Sequence, residues 1–359
     1  MDRRQFLSTS GLGAVGVSSS AFAKSSPRTL TMVTSWPAGF PGLGTSANRV
    51  AKRIEAASGG ELIVKVFAAG ERVGPFEVFD AVAGGQADLY HSADYYQQSK
   101  SPAYNFFTAI PFGMTATELA GWLLHGGGHE LWDELSAPFN IKPLLCTNTG
   151  AQMGGWFNRE IRRIEDFDGL RIRMPGLGGT ALQKLGAVPV NLAGGEIRGA
   201  LKDGSLDAAE WVGPWNDLAA GMHEVASHYY YPGFHEPGGS LALGVNLDIW
   251  DSLGERLQAL LQEVTTAEYI RSLTEFNVQN SAALTVLDEQ HGVRPTTFNE
   301  EVMRSIAKYA DEAVAEIADR NALTRKVFES FNAARADAMR WAVFGEDAFT
   351  AARRKHYAG

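Results

Sequence analysis

The segment Asp166-Phe-Asp-Gly-Leu170-Arg-Ile-Arg173-Met-Pro175-Gly176 ends a β-rich run with an arginine and then turns at a proline. An arginine at the carboxyl end of a strand can offer two parallel N–H donors to a carboxylate, a planar fork that lysine lacks. Hydrogen bonds to charged groups contribute roughly 1.5–3 kcal/mol each, so one fork can dominate the affinity of a small acid. The other reading of Arg173 is a surface residue paired with a neighbouring acid. Glu210, in Glu210-Trp211-Val212-Gly213-Pro214-Trp215, sits oddly beside an arginine that should recruit an anion. A hard cation bridging Glu210 and the ligand resolves that conflict, because such cations accept carboxylate and amide oxygens. Two strand-to-loop exits, Tyr90 to Tyr96 and Ala209 to Trp215, are rich in aromatic residues with polar tips, the usual lining of small-molecule sites.

No catalytic apparatus is visible. His125-Gly126-Gly127-Gly128-His129 resembles the glycine-rich oxyanion run of esterases, but no G-x-S-x-G elbow accompanies it, and a glycine-broken turn between two helices accounts for it. Phosphate-cradling G-x-x-x-x-G-K-[ST], G-x-G-x-x-G after a strand, and H-E-x-x-H are all missing. His223, His228 and His235 fall on different elements without transition-metal spacing. The 359 residues carry 41 acidic and 32 basic side chains, a net charge of −9 with no basic block, so nucleic acid and anionic membranes are poor partners. The one cysteine, Cys146, rules out an intrachain disulfide framework, and its apolar setting after Pro143-Leu144-Leu145 marks it as a core residue.

The elements that must position these residues read as α/β. Thr29 to Thr34 and Leu62 to Phe67 are predicted strands around a helix, Ser46 to Ser58, with apolar residues at Ala47, Val50, Ala51, Ile54 and Ala57. Such a βαβ unit implies a parallel sheet. A twelve-residue skeleton then occurs twice: Glu77, Ala81, Gly85 and Asp88 match Glu196, Ala200, Gly204 and Asp207 at identical spacing. Each copy reads as helix, glycine stop and short strand. The economical fold is two similar α/β lobes with an interlobe ligand cleft, followed by long C-terminal helices: Leu253 to about Gln290, Glu300 to Arg320 and Leu323 to Phe344. The last carries a stripe of Val327, Phe331, Ala334, Ala338 and Trp341, which fits either packing on its own lobes or docking on a second subunit.

Met1 to Ala23 reads as an export signal, with Arg3-Arg4 before Gln5-Phe6-Leu7, a weakly apolar stretch and a small-x-small end at Ala21-Phe22-Ala23. The paired arginines suit the twin-arginine route and predict a periplasmic protein. The expected organisation is therefore residues 1–23 as signal, 24–145 with part of 246–300 as lobe I, 146–245 as lobe II, and 300–359 as C-terminal helices that dimerise.

Four stretches together resemble a known family: Gly150-Ala-Gln152-Met-Gly-Gly-Trp156-Phe157-Asn158, Leu170 to Gly176, Glu210 to Trp215, and Tyr229-Tyr230-Tyr231-Pro232-Gly233-Phe234-His235-Glu236-Pro237-Gly238. In this order they are similar to the extracytoplasmic solute-binding protein, DctP type, of tripartite ATP-independent periplasmic (TRAP) transporters, in the branch that takes 2-oxo acids and lactate with a metal ion. The resemblance implies a two-lobed periplasmic binding protein fold and a receptor that delivers a small monocarboxylate to the transporter's membrane subunits. It implies Arg173 as the carboxylate partner, Asn158, Tyr95 and Tyr96 as its hydrogen-bonding neighbours, and Phe107 as a wall of the pocket. Gln152, Glu210, the Trp211 carbonyl and Glu236 would form the shell of a Na+ or Ca2+ ion that also touches the ligand. Similar proteins dimerise by exchanging the long C-terminal helix. Phe234 stands where the branch usually has tryptophan. Two alternatives share the cleft: a periplasmic enzyme acting on a hydroxy acid or ester, and an adaptor that presents ligand to a sensor.

Overall fold

The predicted apolar face of the first helix is buried except at its end: in Leu43–Ala57, residues Ala47, Val50, Ala51 and Ile54 are covered, all but Ala51 joining a core with Leu30, Met32 and Leu62, while Ala57 is exposed. The computed structural model describes residues 26–357, so the signal read at Met1 to Ala23 lies outside the described residues. Lobe I is a five-stranded sheet in the order β2-β1-β3-β10-β4, built from β1 (Arg28–Thr34), β2 (Leu62–Phe67), β3 (Leu89–Ser92), β4 (Ile141–Asn148) and β10 (Ser240–Asn246). Lobe II is a six-stranded sheet in the order β11-β9-β5-β8-β6-β7, built from β5 (Gly155–Phe157), β6 (Arg171–Arg173), β7 (Val188–Val190), β8 (Ala208–Ala209), β9 (His228–Tyr231) and β11 (Thr296–Thr297).

The repeated skeleton marks equivalent places in the two sheets. β1 runs parallel to β2 and β3, and β6 runs parallel to β7 and β8. Asp88 accepts a hydrogen bond from the Thr31 amide through its side chain (2.7 Å) and donates its own amide to the Thr31 carbonyl (3.0 Å). Asp207 does the same to Arg171, at 2.9 and 2.8 Å. Gly85 and Gly204 both adopt positive φ, 72° and 77°, which lets the chain leave the helix and enter the strand.

Two expectations about organisation need correction. β10, counted with lobe II by the 146–245 boundary, lies in the lobe I sheet between β3 and β4, where its seven buried residues complete the core. A strand buried along its whole length is claimed by whichever sheet has the gap, and linear order does not reveal that. The C-terminal stripe also divides. Val327 and Phe331 are buried in the lobe I core with Phe106 and Trp122, whereas Trp341 is 69% exposed. The helix Glu300–Ala318 packs on the lobe II helix Gly176–Lys184 and puts Val302 and Ile306 into the lobe II core, while its Val314 and Ile317 join the lobe I core, so it bridges the two. The long helix Gly254–His291 touches β4 of lobe I and the helix Pro214–Ala219 of lobe II, and spans both. Among the described residues no helix is long and apolar enough to cross a membrane.

Candidate functional site

Three sources of backbone meet between the lobes. β6 ends at Arg173 and its neighbour β8 is followed at once by Glu210 and Trp211, so both strands deliver polar residues from their carboxyl ends. The chain crosses from lobe I to lobe II through residues 149–154 and back through 232–239, and these adjacent crossovers carry Gln152 and the pair His235-Glu236. They are pinned together by Gln152 N donating to Glu236 O (3.2 Å) and Gly233 N to Gln152 O (2.9 Å). Tyr95 and Tyr96 follow β3 of lobe I, with their rings edge to face at 4.9 Å.

Arg173 is wholly buried, a position a guanidinium accepts only with partners. Its Nη1 donates to the Glu210 carboxylate (2.8 Å) and to the Glu210 carbonyl (2.9 Å), and Nε donates to the Leu192 carbonyl (3.1 Å). The Trp211 ring covers one face of the guanidinium at 5.2 Å. Nη2 has no partner among the described residues. Thus the arginine does pair with an acid, the alternative read from its sequence position, but inside the cleft and with one donor nitrogen left over.

Oxygen atoms gather beside it. Gln152 donates through Nε2 to Glu236 Oε2 (2.6 Å) and Thr149 Oγ1 (3.0 Å), which orients its Oε1 away from both; that oxygen and Glu210 Oε1 are buried without partners. Ligand atoms of Glu210, His235 and Glu236 lie within 4.8 Å of one another, and His235 Nε2 stands 3.5 Å from Glu210 Oε1. Burial first, and then the charge of Glu210, pushes the Glu236 carboxyl up to about 7. Burial and the Glu236 charge likewise raise the Tyr95 phenol, which keeps it a donor. Buried, unpartnered oxygens of a carboxamide and a carboxylate, next to a second carboxylate, are the donor set of a hard cation such as Na+ or Ca2+. A neighbouring Nη2 can meanwhile bind an anion, so the site fits an acid and a cation side by side.

Of the residues expected here, Arg173, Tyr95, Tyr96, Gln152, Glu210, Trp211 and Glu236 come together. Asn158 does not. β5 runs antiparallel to β8, so the residue after β5 lies beside the residue before β8: the Asn158 amide donates to the Asp207 carbonyl, and the residue is exposed at the far end of the sheet from Glu210. Phe107 is also elsewhere, wholly buried between the stacked rings of Trp122 and Trp132 in the lobe I core. A single-turn helix, Asn105–Thr108, turns it inward, and an aromatic residue in an apolar run looks the same in sequence whether it lines a core or a pocket. Two contributors carried weak sequence signals. His235 is adjacent to Glu236, yet its spacing from other histidines suggested nothing. Asp217 is wholly buried and accepts from the Val212 amide (3.3 Å), Trp156 Nε1 (3.0 Å) and the Tyr229 hydroxyl (2.7 Å), which fixes the loop that follows Glu210 and Trp211.

The family model "DctP: Bacterial extracellular solute-binding protein, family 7" matches residues 32–321. The chain belongs to this family. A relative in Nostoc sp., the monocarboxylate 2-oxoacid-binding periplasmic protein, is 39% identical over 312 residues, which covers 86% of this chain and 85% of the relative. Among solved structures, the TRAP periplasmic solute-binding protein of Pseudoalteromonas atlantica T6c, with bound sodium and pyruvate, aligns with a TM-score of 0.87 at 35% identity over 90% of this chain and 99% of that one. The TRAP transporter solute-binding protein of Bordetella bronchiseptica RB50, a mixed-occupancy dimer with copurified calcium and picolinate, aligns with a TM-score of 0.89 at 31% identity over 92% and 100%. As a family 7 solute-binding protein, this chain has the two-lobed fold of TRAP receptors.

Proposed function

We propose that this family 7 protein is the periplasmic receptor of a TRAP transporter, that it binds a small 2-oxo monocarboxylate such as pyruvate together with Na+ or Ca2+, and that it hands the acid to the transporter's membrane subunits. The observation that carries this reading is one buried cluster: Arg173 with a spare donor nitrogen beside the unpartnered oxygens of Gln152 and Glu210. Arg173 holds the carboxylate. Gln152, Glu210, Glu236 and the Trp211 carbonyl would hold the cation, which would supply positive charge to the ligand's 2-oxygen. Sodium and calcium with pyruvate or picolinate in the relatives support the same pairing. The match to a solute-binding family and the 2-oxoacid-binding relative favour a receptor over an enzyme. Export by the twin-arginine route and dimerisation through the C-terminal helices complete the proposal, the second supported by the dimeric Bordetella relative and by Trp341 and Phe344 at 69% and 78% exposure.

Calorimetry with pyruvate tests it. Binding is expected with Na+ or Ca2+ and to be lost after dialysis against chelator into sodium-free buffer. Arg173→Ala is expected to weaken it at least a hundredfold. Unchanged affinity in that variant, or product formation from pyruvate or lactate, would refute the reading.

A further inference from the structure

A second cavity begins where the Arg173 cluster ends. It lies between the lobes, has a volume of about 230 Å³, and is lined by Tyr95, Tyr96 and Gln98 of lobe I and by Thr180, Gln183 and Asn191 of lobe II. Its floor includes Met174 and Pro175, the residues after Arg173, and Asn191 precedes Leu192, whose carbonyl holds Arg173 Nε. At roughly 30 Å³ per water molecule it has room for about seven, several times what the methyl group of pyruvate needs.

The chemistry of the lining is specific. Among the described residues no charged side chain lines the cavity; its polar groups are carboxamides, a hydroxyl and the two phenols. Gly176, at φ +63°, leaves a bare stretch of wall beside Tyr95. Gln98, Gln183 and Asn191 are exposed along the lining and present carboxamides that a hydroxyl or amide on the ligand can pair with. A carboxylate entering the same space would find no cationic side chain in the lining.

Resting on the reading above, we propose that this cavity is the subsite for the ligand's tail, and that the receptor selects 2-oxo monocarboxylates ending in an uncharged hydrogen-bonding group, a hydroxyl or amide, over dicarboxylates. Calorimetry on the full mature chain with Na+ and Ca2+ tests it using four probes: pyruvate, 2-oxopentanoate, 5-hydroxy-2-oxopentanoate and 2-oxopentanedioate. The hydroxy acid is expected to bind about three- to tenfold more tightly than 2-oxopentanoate, the span of one neutral hydrogen bond, and the diacid at least tenfold less tightly. Replacing the exposed Gln183 and Asn191 together by leucine is expected to abolish the hydroxyl preference and leave pyruvate within twofold. Equal affinities for all three five-carbon acids, tightest binding of the diacid, or a variant that loses pyruvate and the longer acids in equal proportion would overturn the subsite. Failure of pyruvate itself to bind with a cation would instead overturn the function on which it rests.

Discussion

Arg173 and Glu210 are buried side by side in a contact that would be wasteful in a purely structural role, since an apolar pair of similar size often stabilises a fold as well or better. Their burial makes sense where the pair prepares a site: Glu210 holds the guanidinium in place by one oxygen and turns the other toward its neighbours. Asp94, a buried acid away from this cluster, is structural. Asp94 accepts from the Tyr90 hydroxyl (2.8 Å) and Trp132 Nε1 (2.9 Å), and burial raises its carboxyl to about 7 in spite of both bonds. The native state therefore binds this proton more tightly than the unfolded chain, whose aspartate titrates near 3.8. The contribution of Asp94 is full below about 3.8 and is lost as pH rises through about 7. Asp94→Asn removes that slope. Thermal melts of both proteins from pH 4 to 7.5 should show the difference in Tm moving in the variant's favour as pH rises; a difference that stays constant would refute the assignment. The pH-independent loss of good acceptor geometry sets only the offset.

Within the elements, the repeated helix-to-strand skeleton acts through its aspartates. Asp88 and Asp207 each close a side-chain and a backbone hydrogen bond onto the neighbouring parallel strand, at the point where the helix has just ended. Asp207 also forms a two-bond pair with the Arg171 guanidinium, at 2.9 and 2.7 Å, but that pair is partly exposed and worth little. Asp88→Ala and Asp207→Ala should each destabilise the protein by about 1–2 kcal/mol, read from denaturant unfolding, because each leaves a strand amide without its acceptor. If the salt bridge were the source of the effect, Arg171→Ala would cost as much as Asp207→Ala. The expected result is a clearly smaller cost.

Across the whole molecule, the chain ends in helices that serve two ends. Val327 and Phe331 close the lobe I core, while Met339, Trp341, Val343, Phe344 and Phe349 are left between 60% and 78% exposed further along. So many large apolar side chains on consecutive turns are a poor free surface for a monomer and a good contact for a second copy. On the proposed dimer, replacing Trp341 and Phe344 together by glutamate should yield a monomer in light scattering and leave pyruvate affinity within about twofold, since both side chains are exposed whereas Arg173 is buried. A dimer that persists in this variant would place the interface elsewhere.

Residue types and spacing by themselves determined the α/β class and the paired lobes, because those follow from local periodicity and a repeated skeleton; they left Arg173 open between an anion site and an ion pair, and raised a cation beside Glu210 only as the way to reconcile two charges. The glycine-broken turn read in His125 to His129 is also found, with Gly126 and Gly127 joining the helices Ala116–His125 and Gly128–Ser136. Tertiary structure alone decided the rest. Whether β10 completes lobe I or lobe II depends on which sheet has an open edge, which no local pattern encodes. Strand direction sends Asn158 away from the cleft and brings Glu210 into it, though both are polar residues just beyond a short strand. The meeting of Gln152 and Glu236, 84 positions apart, depends on two crossovers lying side by side, and only the folded chain fixes that distance.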